Sequence, residues 1–564
     1  MSEHDGGISG TTADKTDPRR MWIAMARRVV FAGLTVLGAW LLIIEMRKDA
    51  AAWFISSMGE SFKLGDIVRV TSDWSSSWWT GDPVGEVVSR HIGMPLELAG
   101  YGVLMALGIA AVLLVLGVVI SRATKSPAWL AKPRTILRVV LVNGFVSNPF
   151  VLGIIPVMIG SLAFLGTVPS PSHPPSPGIN VGDVFIVSLL PAWLLVQSGH
   201  QELKNFTGDA GRVAKHFAIT LVIRLLRLAG AVIAVALLAG NTLLRYVLQR
   251  DFPVVFAYVF VLAVIVVVAK LLGDLIEVVY TRGGTRQTEA KTASSGAGVP
   301  KGWVVFSLVL VAIIVLASVI GPLLAPYGIN DVSIAERLAP PSAAHLLGTD
   351  NLGRDVLSRI LFALRTDVLW ALLAVVVVIG AALLWTLLAA LARRRKAWLG
   401  ETLEDVAMLP RDILGAFPWA ALLMVLAALL GAGSVALLVL AVGIVLWPHA
   451  VSMLKDCYVS ARQDRSQIEG LLLGVLPVFI LATGGAVLYI TTLSYMGLGV
   501  PPPRPELGSM LASDGRVYLF QAPWMAQWPI SILAILLFVW VMGGNTLLER
   551  MGYRTGAVWA KSME

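Results

Sequence analysis

The chain is poor in charged residues and almost without cysteine. Only 14% of its 564 residues are charged, whereas 57% are hydrophobic, and the mean hydropathy is +0.79. A soluble protein of this length needs much more polar surface to cover its core, so the composition excludes that class. The single cysteine, Cys457, excludes an internal disulfide and a cysteine metal cluster.

Motifs of nucleotide and metal chemistry are also missing from the sequence. It contains no G-x-x-x-x-G-K-[ST] loop for ATP phosphates, no H-E-x-x-H zinc motif and no G-x-S-x-G nucleophile elbow. Its histidines are scattered along the chain. We therefore predict that the protein is not an enzyme and has no catalytic residue, no metal site and no cofactor of its own.

Ionisable residues are scarce at the centres of the hydrophobic runs. Carriers driven by protons or sodium ions place such groups there, because the driving ion must bind at mid-membrane. The exceptions, Arg224 and Arg227, stand toward one end of their run and are predicted to snorkel to the interface. This scarcity favours a pathway whose energy comes from another protein.

Long hydrophobic runs dominate what is present. Runs such as 29–44 and 303–324 are long enough to cross about 30 Å of hydrocarbon as helices. The sequence predicts an all-α polytopic membrane protein of about twelve transmembrane helices in two six-helix halves. The predicted spans are 28–46, 97–120, 136–166, 182–199, 217–241, 253–279, 303–324, 366–391, 411–431, 433–449, 471–496 and 527–548. The predicted divisions are a disordered tail 1–24, a first half 25–282, a linker 283–301 and a second half 302–564.

Lysine and arginine cluster at alternate ends of successive runs. The positive-inside rule places these clusters, the linker and both termini in the cytoplasm. Four loops are then predicted outside, namely 47–96, 167–181, 325–365 and 497–526. This topology accounts for the net charge of +9 without a nucleic-acid partner.

Two polar segments of the second half carry a family resemblance. "HLLGTDNLGRDVLSRILFALRTDV" and "LSYMGLGVPPPRPELGSMLASDGRVYL" resemble external segments of the second permease subunit of dipeptide, oligopeptide and nickel ABC importers. The first segment matches at His345, Leu347, Gly348, Thr349, Asp350, Gly353, Arg354, Asp355, Ser358 and Arg359. The second matches at Gly497, Gly499, Pro501, Pro502, Pro505 and Gly508.

The first half resembles the partner permease subunit of the same importers. The resemblance lies in segments 81–108, 147–154 and 250–280, so the chain resembles both subunits fused in one polypeptide. A joined pair of similar halves favours a transporter with its pathway at the interface between them. Polar or helix-breaking span residues are candidates to line this pathway, although isolated amides as often bridge helices. The candidates are Asn143, Ser147, Asn148, Pro149 and Asn241.

The resemblance implies helices that couple the permease to its ATPases, but these regions depart from the family pattern. Family members carry a cytoplasmic E-A-A-x-x-x-G motif. In the second half, Arg465, Glu469 and Gly474 resemble it with one residue too few and without the alanines. In the first half, the segment 199–217 offers Asp209 and Arg212 without a recognisable motif.

The charged segment before the second-half span 366–391 has two interpretations. Its residues, with Gly497, Gly499, Pro501 and Pro502, would dock an external solute-binding protein or latch an outer gate, as the resemblance implies. Alternatively, its charges hold the turns of the segment itself through helix caps and ion pairs. The tryptophan-rich stretch 72–82 likewise predicts either a ligand-binding surface or interfacial anchoring.

The resemblance implies the permease component of an ABC transporter that imports peptides or peptide-like solutes through the bacterial cytoplasmic membrane. Its implied partners are two ATPase subunits, which use ATP and Mg, an extracytoplasmic solute-binding protein and the lipid bilayer. A permease-derived scaffold or receptor with altered ATPase coupling remains an alternative because the coupling regions depart from the pattern. A secondary carrier is a further alternative, against which the scarcity of mid-membrane charge argues.

Overall fold

The computed structural model describes most of the chain, with several gaps. The described residues are 18–57, 75–123, 187, 210–280, 301–393, 397–430, 434–459, 467–499 and 503–551, apart from residues 79, 241, 516 and 520. The predicted span 136–166, the predicted span 182–199 apart from Val187, the linker 283–301 apart from Lys301, and residues 58–74 of the predicted external loop 47–96 lie outside them. Within the described ranges the fold is helical, and β structure is limited to two isolated bridges.

The first half contributes six described helices. Helix α1 packs along α6, α3 also packs on α6, and α2 packs on α4. A break of one residue separates α3 from α4, whose span segments meet at an angle of 51°. The helices are α1 (Pro18–Ser57), α2 (Val84–Ala123), α3 (Ala210–Arg227), α4 (Ala229–Gly240), α5 (Thr242–Leu248) and α6 (Phe252–Tyr280).

The second half is a bundle whose centre is formed by α8, α11, α12 and α14. The later turns of α12 are enclosed by the other helices, and Leu488, Tyr489 and Ile490 are fully buried there. The helices are α7 (Lys301–Leu324), α8 (Val356–Arg393), α9 (Ala397–Ala416), α10 (Trp419–Leu430), α11 (Val435–Val459), α12 (Gln467–Tyr495), α13 (Leu507–Met510) and α14 (Trp524–Met551). A π-helical turn, Leu511–Gly515, follows α13.

The predicted all-α membrane architecture is confirmed. Seven helices of the described residues are long and apolar enough to cross a membrane, or up to nine if each bent helix pair is one span. The predicted number of about twelve is therefore not established. The predicted span 411–431 differs most from the structure, because α9 begins at Ala397 and an 85° bend separates it from α10. Pro418 lies at this bend, where proline lacks the N–H of a continuous helix.

Both halves enter their second helix through the same kind of turn. An isolated antiparallel bridge, Ser76↔Pro83, precedes α2, and the bridge Thr349↔Asp355 precedes α8. A glycine with positive φ stands three residues before each helix, Gly81 at 76° and Gly353 at 73°. In sequence the two turns share only the spacing G-x-x-V, at 81–84 and 353–356, and the division of the chain into two halves stays a prediction.

Each turn is also tied to the last helix of its own half. In the first half, the Ser77 hydroxyl and the Trp78 N–H donate to the carboxylate of Asp251, directly before α6. In the second half, the Trp524 indole N–H of α14 donates to the Thr349 carbonyl over 3.1 Å. These contacts fix both turns at the end of the bundle where α6 and α14 begin.

Candidate functional site

Asp350 is the centre of the charged loop between α7 and α8, residues 325–355. Its side chain is buried, and its Oδ1 accepts from the backbone N–H groups of Leu352 (2.8 Å) and Arg354 (2.9 Å). Its Oδ2 accepts from Arg354 Nε at 2.7 Å, and Arg359 Nε lies 3.4 Å away. The carboxylate therefore both closes a local turn and neutralises two guanidinium groups.

His345 joins the loop to the start of α8. Its Nδ1 lies 3.0 Å from Asp355 Oδ1, and its Nε2 lies 3.4 Å from Glu336 Oε2. Burial works to lower the pKa of His345, but hydrogen bonds and negative charge from Asp355 and Glu336 outweigh it and raise the pKa. The other oxygen of Asp355 caps α8 by accepting from the Ser358 N–H (2.8 Å) and hydroxyl (2.7 Å).

The remaining matched residues of this loop also have partners inside the loop. The Thr349 hydroxyl accepts from the Ala339 N–H over 2.8 Å. Gly348 and Gly353 have φ values of 80° and 73°, and a Cβ at Gly353 would lie 1.8 Å from the Ser333 carbonyl oxygen. The interpretation that these residues hold the loop in shape is thus supported by their contacts, whereas their docking role stays a prediction.

The second matched segment begins where α12 ends. Gly497 has a φ of 80°, and a Cβ at Gly499 would lie 1.9 Å from Ser494 Oγ. Both glycines therefore occupy positions at which a side chain would strain the turn. Pro501 and Pro502 lie outside the described residues.

Two of the predicted coupling residues, Glu469 and Gly474, have described side chains. Glu469 is exposed in the first turn of α12, and Gly474 faces α11, where a Cβ would lie 2.6 Å from Cys457 Cβ. Gly474 therefore contributes to close helix packing. Arg212 belongs to α3, without a described side chain. Asn143, Ser147, Asn148, Pro149, Asn241, Asp209 and Arg465 lie outside the described residues.

A cavity of about 670 Å³ lies between the two halves. The first half lines it with residues of α1, α3, α4 and α6, and the second half with residues of α9, α10 and α11 and of the bend before α10. Trp419, at the bend, forms part of the wall and stacks on Tyr489 with a ring separation of 4.9 Å. The ionisable lining is mixed in sign and comprises Arg27, Arg28, Arg227, Lys270, Arg411, Lys455, Asp274, Asp405, Asp412, Asp456 and His449.

Charged contacts at the cavity wall join the two halves. Arg27 of α1 forms an ion pair with Asp405 of α9. Lys270 of α6 donates to the Gly415 carbonyl of α9 over 3.4 Å. These contacts cross the interface, so a relative movement of the halves would have to break or stretch them.

A second charged group lies inside the first half. Arg227 is 8% exposed and its Nη2 contacts Asp274 Oδ1 at 2.6 Å and Glu277 Oε2 at 2.5 Å. These two carboxylates hold Arg227 inside the first half, and its position at the membrane interface stays a prediction. Lys270, Asp274 and Glu277 stand at helical spacing on one face of α6, and this spacing was the signal in the sequence that could have revealed the polar wall.

The cavity charges and the two entry turns lie at opposite ends of the bundle. Arg28 contacts Asp274 near the end of α6, whereas the first-half turn is tied to Asp251 just before its start. A helix rise of 1.5 Å per residue separates these points by roughly 33 Å. A bundle of long apolar helices, with a charged cavity between its two halves and ordered turns at the opposite end, is the architecture of a polytopic membrane protein and fits a transport role.

Comparison with known proteins makes this class more specific. Residues 303–341 match the family model described as the N-terminal TM domain of oligopeptide transport permease C. The chain is 30% identical over 270 residues to the probable D,D-dipeptide transport system permease protein of Escherichia coli strain K12, covering 45% of this chain and 88% of that protein. It is 33% identical over 261 residues to the di/tripeptide transport system permease protein of Pseudomonas aeruginosa strain UCBPP-PA14, covering 42% and 83%. The nickel transport system permease protein of Escherichia coli strain K12 is 28% identical over 265 residues, covering 43% and 92%.

The chain belongs to the family of peptide and nickel permeases of ABC transport systems. The predicted family and the predicted permease role are thereby confirmed. Members of this family are transport subunits rather than enzymes. Each relative covers less than half of this chain, which leaves room for a second permease unit.

Proposed function

We propose that the chain forms a complete import pathway for peptides or peptide-like solutes, with the second half as one permease subunit and the first half as its partner. The cavity between the halves carries this proposal, because it is built from both and holds charges of both signs. A short peptide carries an ammonium and a carboxylate group, and a cavity lined by side chains of both signs can bind such a solute.

The assignment of the first half as a partner permease rests on the repeated entry turn. The same kind of bridge and a positive-φ glycine occur before α2 and before α8, and each turn is hydrogen-bonded at the start of the last helix of its half. Alignments with the relatives cover 41% to 45% of the chain in the strongest examples, so one relative accounts for one half. A fused pair of related subunits explains both observations.

The orientation follows from charge. The cavity end carries Arg27 and Arg28, and the positive-inside rule places such clusters in the cytoplasm. The α7–α8 loop at the other end would then face the outside, where a solute-binding protein delivers its cargo. Because the charges of this loop are used internally, we expect the exposed side chains of Ile334 and Leu346 to make the docking contact.

Energy would come from two separate ATPase subunits that use ATP and Mg, docked at the cytoplasmic end. Of the predicted coupling residues, Glu469 is described and exposed at the start of α12, where it could contact such a subunit. We expect the protein to reside in the bacterial cytoplasmic membrane with both termini inside. The sequence offers no Walker loop for an ATPase site of its own.

Co-purification tests this proposal. The full chain, tagged and expressed in its native membrane, is isolated in mild detergent after chemical crosslinking, and the bound proteins are identified by mass spectrometry. We expect ATPase subunits and a solute-binding protein in the purified fraction. Both should be absent when the same purification is carried out on membranes without the tagged chain. Recovery of the chain without any ATPase under these conditions would contradict the importer role and favour a permease-derived scaffold.

A further inference from the structure

Two buried carboxyl groups meet where the segment after α12 packs on α8. Asp367 of α8 and Glu506, which precedes α13, are both 0% exposed. Asp367 Oδ2 accepts from the Leu507 N–H at 3.2 Å, and Glu506 Oε2 accepts from the Ser509 N–H at 2.8 Å. The remaining oxygens, Asp367 Oδ1 and Glu506 Oε1, are buried without a hydrogen-bond donor.

No cation of the described residues neutralises this pair. The groups that act on the two carboxyls are the carboxyls themselves, the Ser494 hydroxyl of α12 and the backbone N–H groups of residues 507–509. The nearby arginines of the α7–α8 region are engaged elsewhere, since Arg354 and Arg359 contact Asp350. Two carboxylates enclosed together in a medium of low dielectric cannot both carry a charge at modest cost.

We propose that Asp367 and Glu506 form a proton-binding site in which one shared proton holds the segment 506–515 against α8. The proton bonds to one of the two unpartnered oxygens and is donated to the other, so both oxygens are satisfied at once. Aspartic-protease dyads show the same sharing of one proton by two adjacent carboxyls. The site does not rest on the transport role, because it needs only the packing of this segment on α8.

The direction of its pH dependence follows from burial. Burial raises the pKa of Glu506 to about 7, against the lowering effect of the Gly508 and Ser509 N–H groups. An opened segment would expose carboxyls with their ordinary pKa, so opening releases a proton. The opening constant therefore rises with pH, by up to about tenfold per pH unit for one proton, from the ordinary carboxyl range up to the raised range of the closed pair.

The segment 506–515 also contacts α12 and the α7–α8 loop, so its release from α8 would change these contacts. A Cβ at Gly508 would lie 2.1 Å from the Thr491 carbonyl oxygen, so the segment packs closely on α12. Asp514, in the π-helical turn, lies 3.9 Å from Arg354 Nη2 of the α7–α8 loop. The shared proton thus stabilises a contact that links α8, α12 and that loop.

Infrared difference spectroscopy on the full chain in lipid nanodiscs tests whether the proton is there. We expect a protonated-carboxyl band in the wild type that persists above the ordinary carboxyl range and disappears only at higher pH. D367N and E506Q should both lack this band, whereas E86Q, at an exposed glutamate of α2, should keep it. A wild type without the band, or a band unchanged in both D367N and E506Q, would overturn the site.

Hydrogen exchange of residues 506–515, corrected for intrinsic rates, tests what the proton does. In the wild type we expect protection to fall with rising pH as calculated above. In D367N the amide can donate to the Glu506 carboxylate, so protection should stay and lose its pH slope. An unchanged slope in D367N overturns the proposal. So does recovery of wild-type protection at high pH on addition of sodium chloride but not choline chloride, since a bound cation would then occupy the site.

Discussion

Asp350 has two backbone N–H groups and two guanidinium groups around one carboxylate. The Asp355 carboxylate is likewise used within the loop, since it caps α8 and contacts His345. The charged side chains that the family resemblance suggested for partner docking therefore stabilise the fold of the loop itself. Any docking of a solute-binding protein depends on this internal order, since a disordered loop would have to be ordered on binding at a cost in affinity.

We predict that D350N destabilises the protein by about 3 kcal/mol, because Asn keeps an acceptor but leaves two buried guanidinium groups without their carboxylate. Thermal unfolding in detergent measures this change. D82N is the matched control, since Asp82 is exposed in the corresponding turn of the first half, and should change stability by less than about 0.5 kcal/mol. A D350N protein as stable as D82N, with weaker partner binding, would show that the charge serves docking.

We predict that the contribution of His345 to the stability of the protein depends on pH. Its pKa in the folded protein is raised above the unfolded value, so its contribution to stability is present below that unfolded value and is lost as the pH rises through the folded one. The difference in unfolding temperature between wild type and H345Q should therefore be larger at about pH 5.5 than at about pH 8.5. A difference that is constant or grows with pH would show that His345 is held neutral.

Helices were predicted well where the hydrophobic pattern was long and uninterrupted. Spans 253–279 and 303–324 agree closely with α6 and α7. The boundaries failed at α9, because its first turns are amphipathic and only its continuation beyond Pro418 is apolar. Asp367 was missed for a related reason. A lone aspartate near a span end resembles an interfacial residue until the tertiary fold brings Glu506 beside it.

Substitution of Gly474 tests whether this residue serves the packing of α11 on α12 or the coupling to an ATPase. We predict that G474A lowers stability by about 1–3 kcal/mol, because the added methyl group overlaps with Cys457. G85A is the control, since a Cβ at Gly85 in α2 meets no atom within 4 Å. Unfolding temperature and stimulation of the partner ATPase should be measured on the same samples. Lost stimulation with unchanged stability would assign Gly474 to ATPase coupling instead.

The two halves meet at a cavity whose wall carries charged residues of both halves. The sequence indicated two halves through charge alternation and family resemblance, but it did not indicate which polar residues face each other. Arg27 and Asp405 are 378 positions apart in the chain, and nothing in either local segment predicts their contact. Only the packing of α1 against α9 brings them together.

We predict that a short thiol crosslinker joins R27C to D405C in a C457A background and blocks transport, because the crosslink prevents movement of the halves. The native ion pair itself should contribute less than about 1 kcal/mol, since both side chains are about one-third exposed. The pair R27C with E86C, at opposite ends of the bundle, should not react. Efficient crosslinking of R27C to D405C with full transport would show that the halves do not separate there.

The most direct test of the account is solute uptake by proteoliposomes that contain the full chain with its co-purified ATPases and binding protein. We predict that a labelled dipeptide accumulates on the side of the membrane where the ATPases are bound. This accumulation should require ATP and Mg on that side and the binding protein on the opposite side. Crosslinking R27C to D405C should abolish it. Uptake driven by a proton or sodium gradient without ATP, or a complex that hydrolyses ATP without moving any peptide, would contradict the claim that this chain is a fused ABC import pathway.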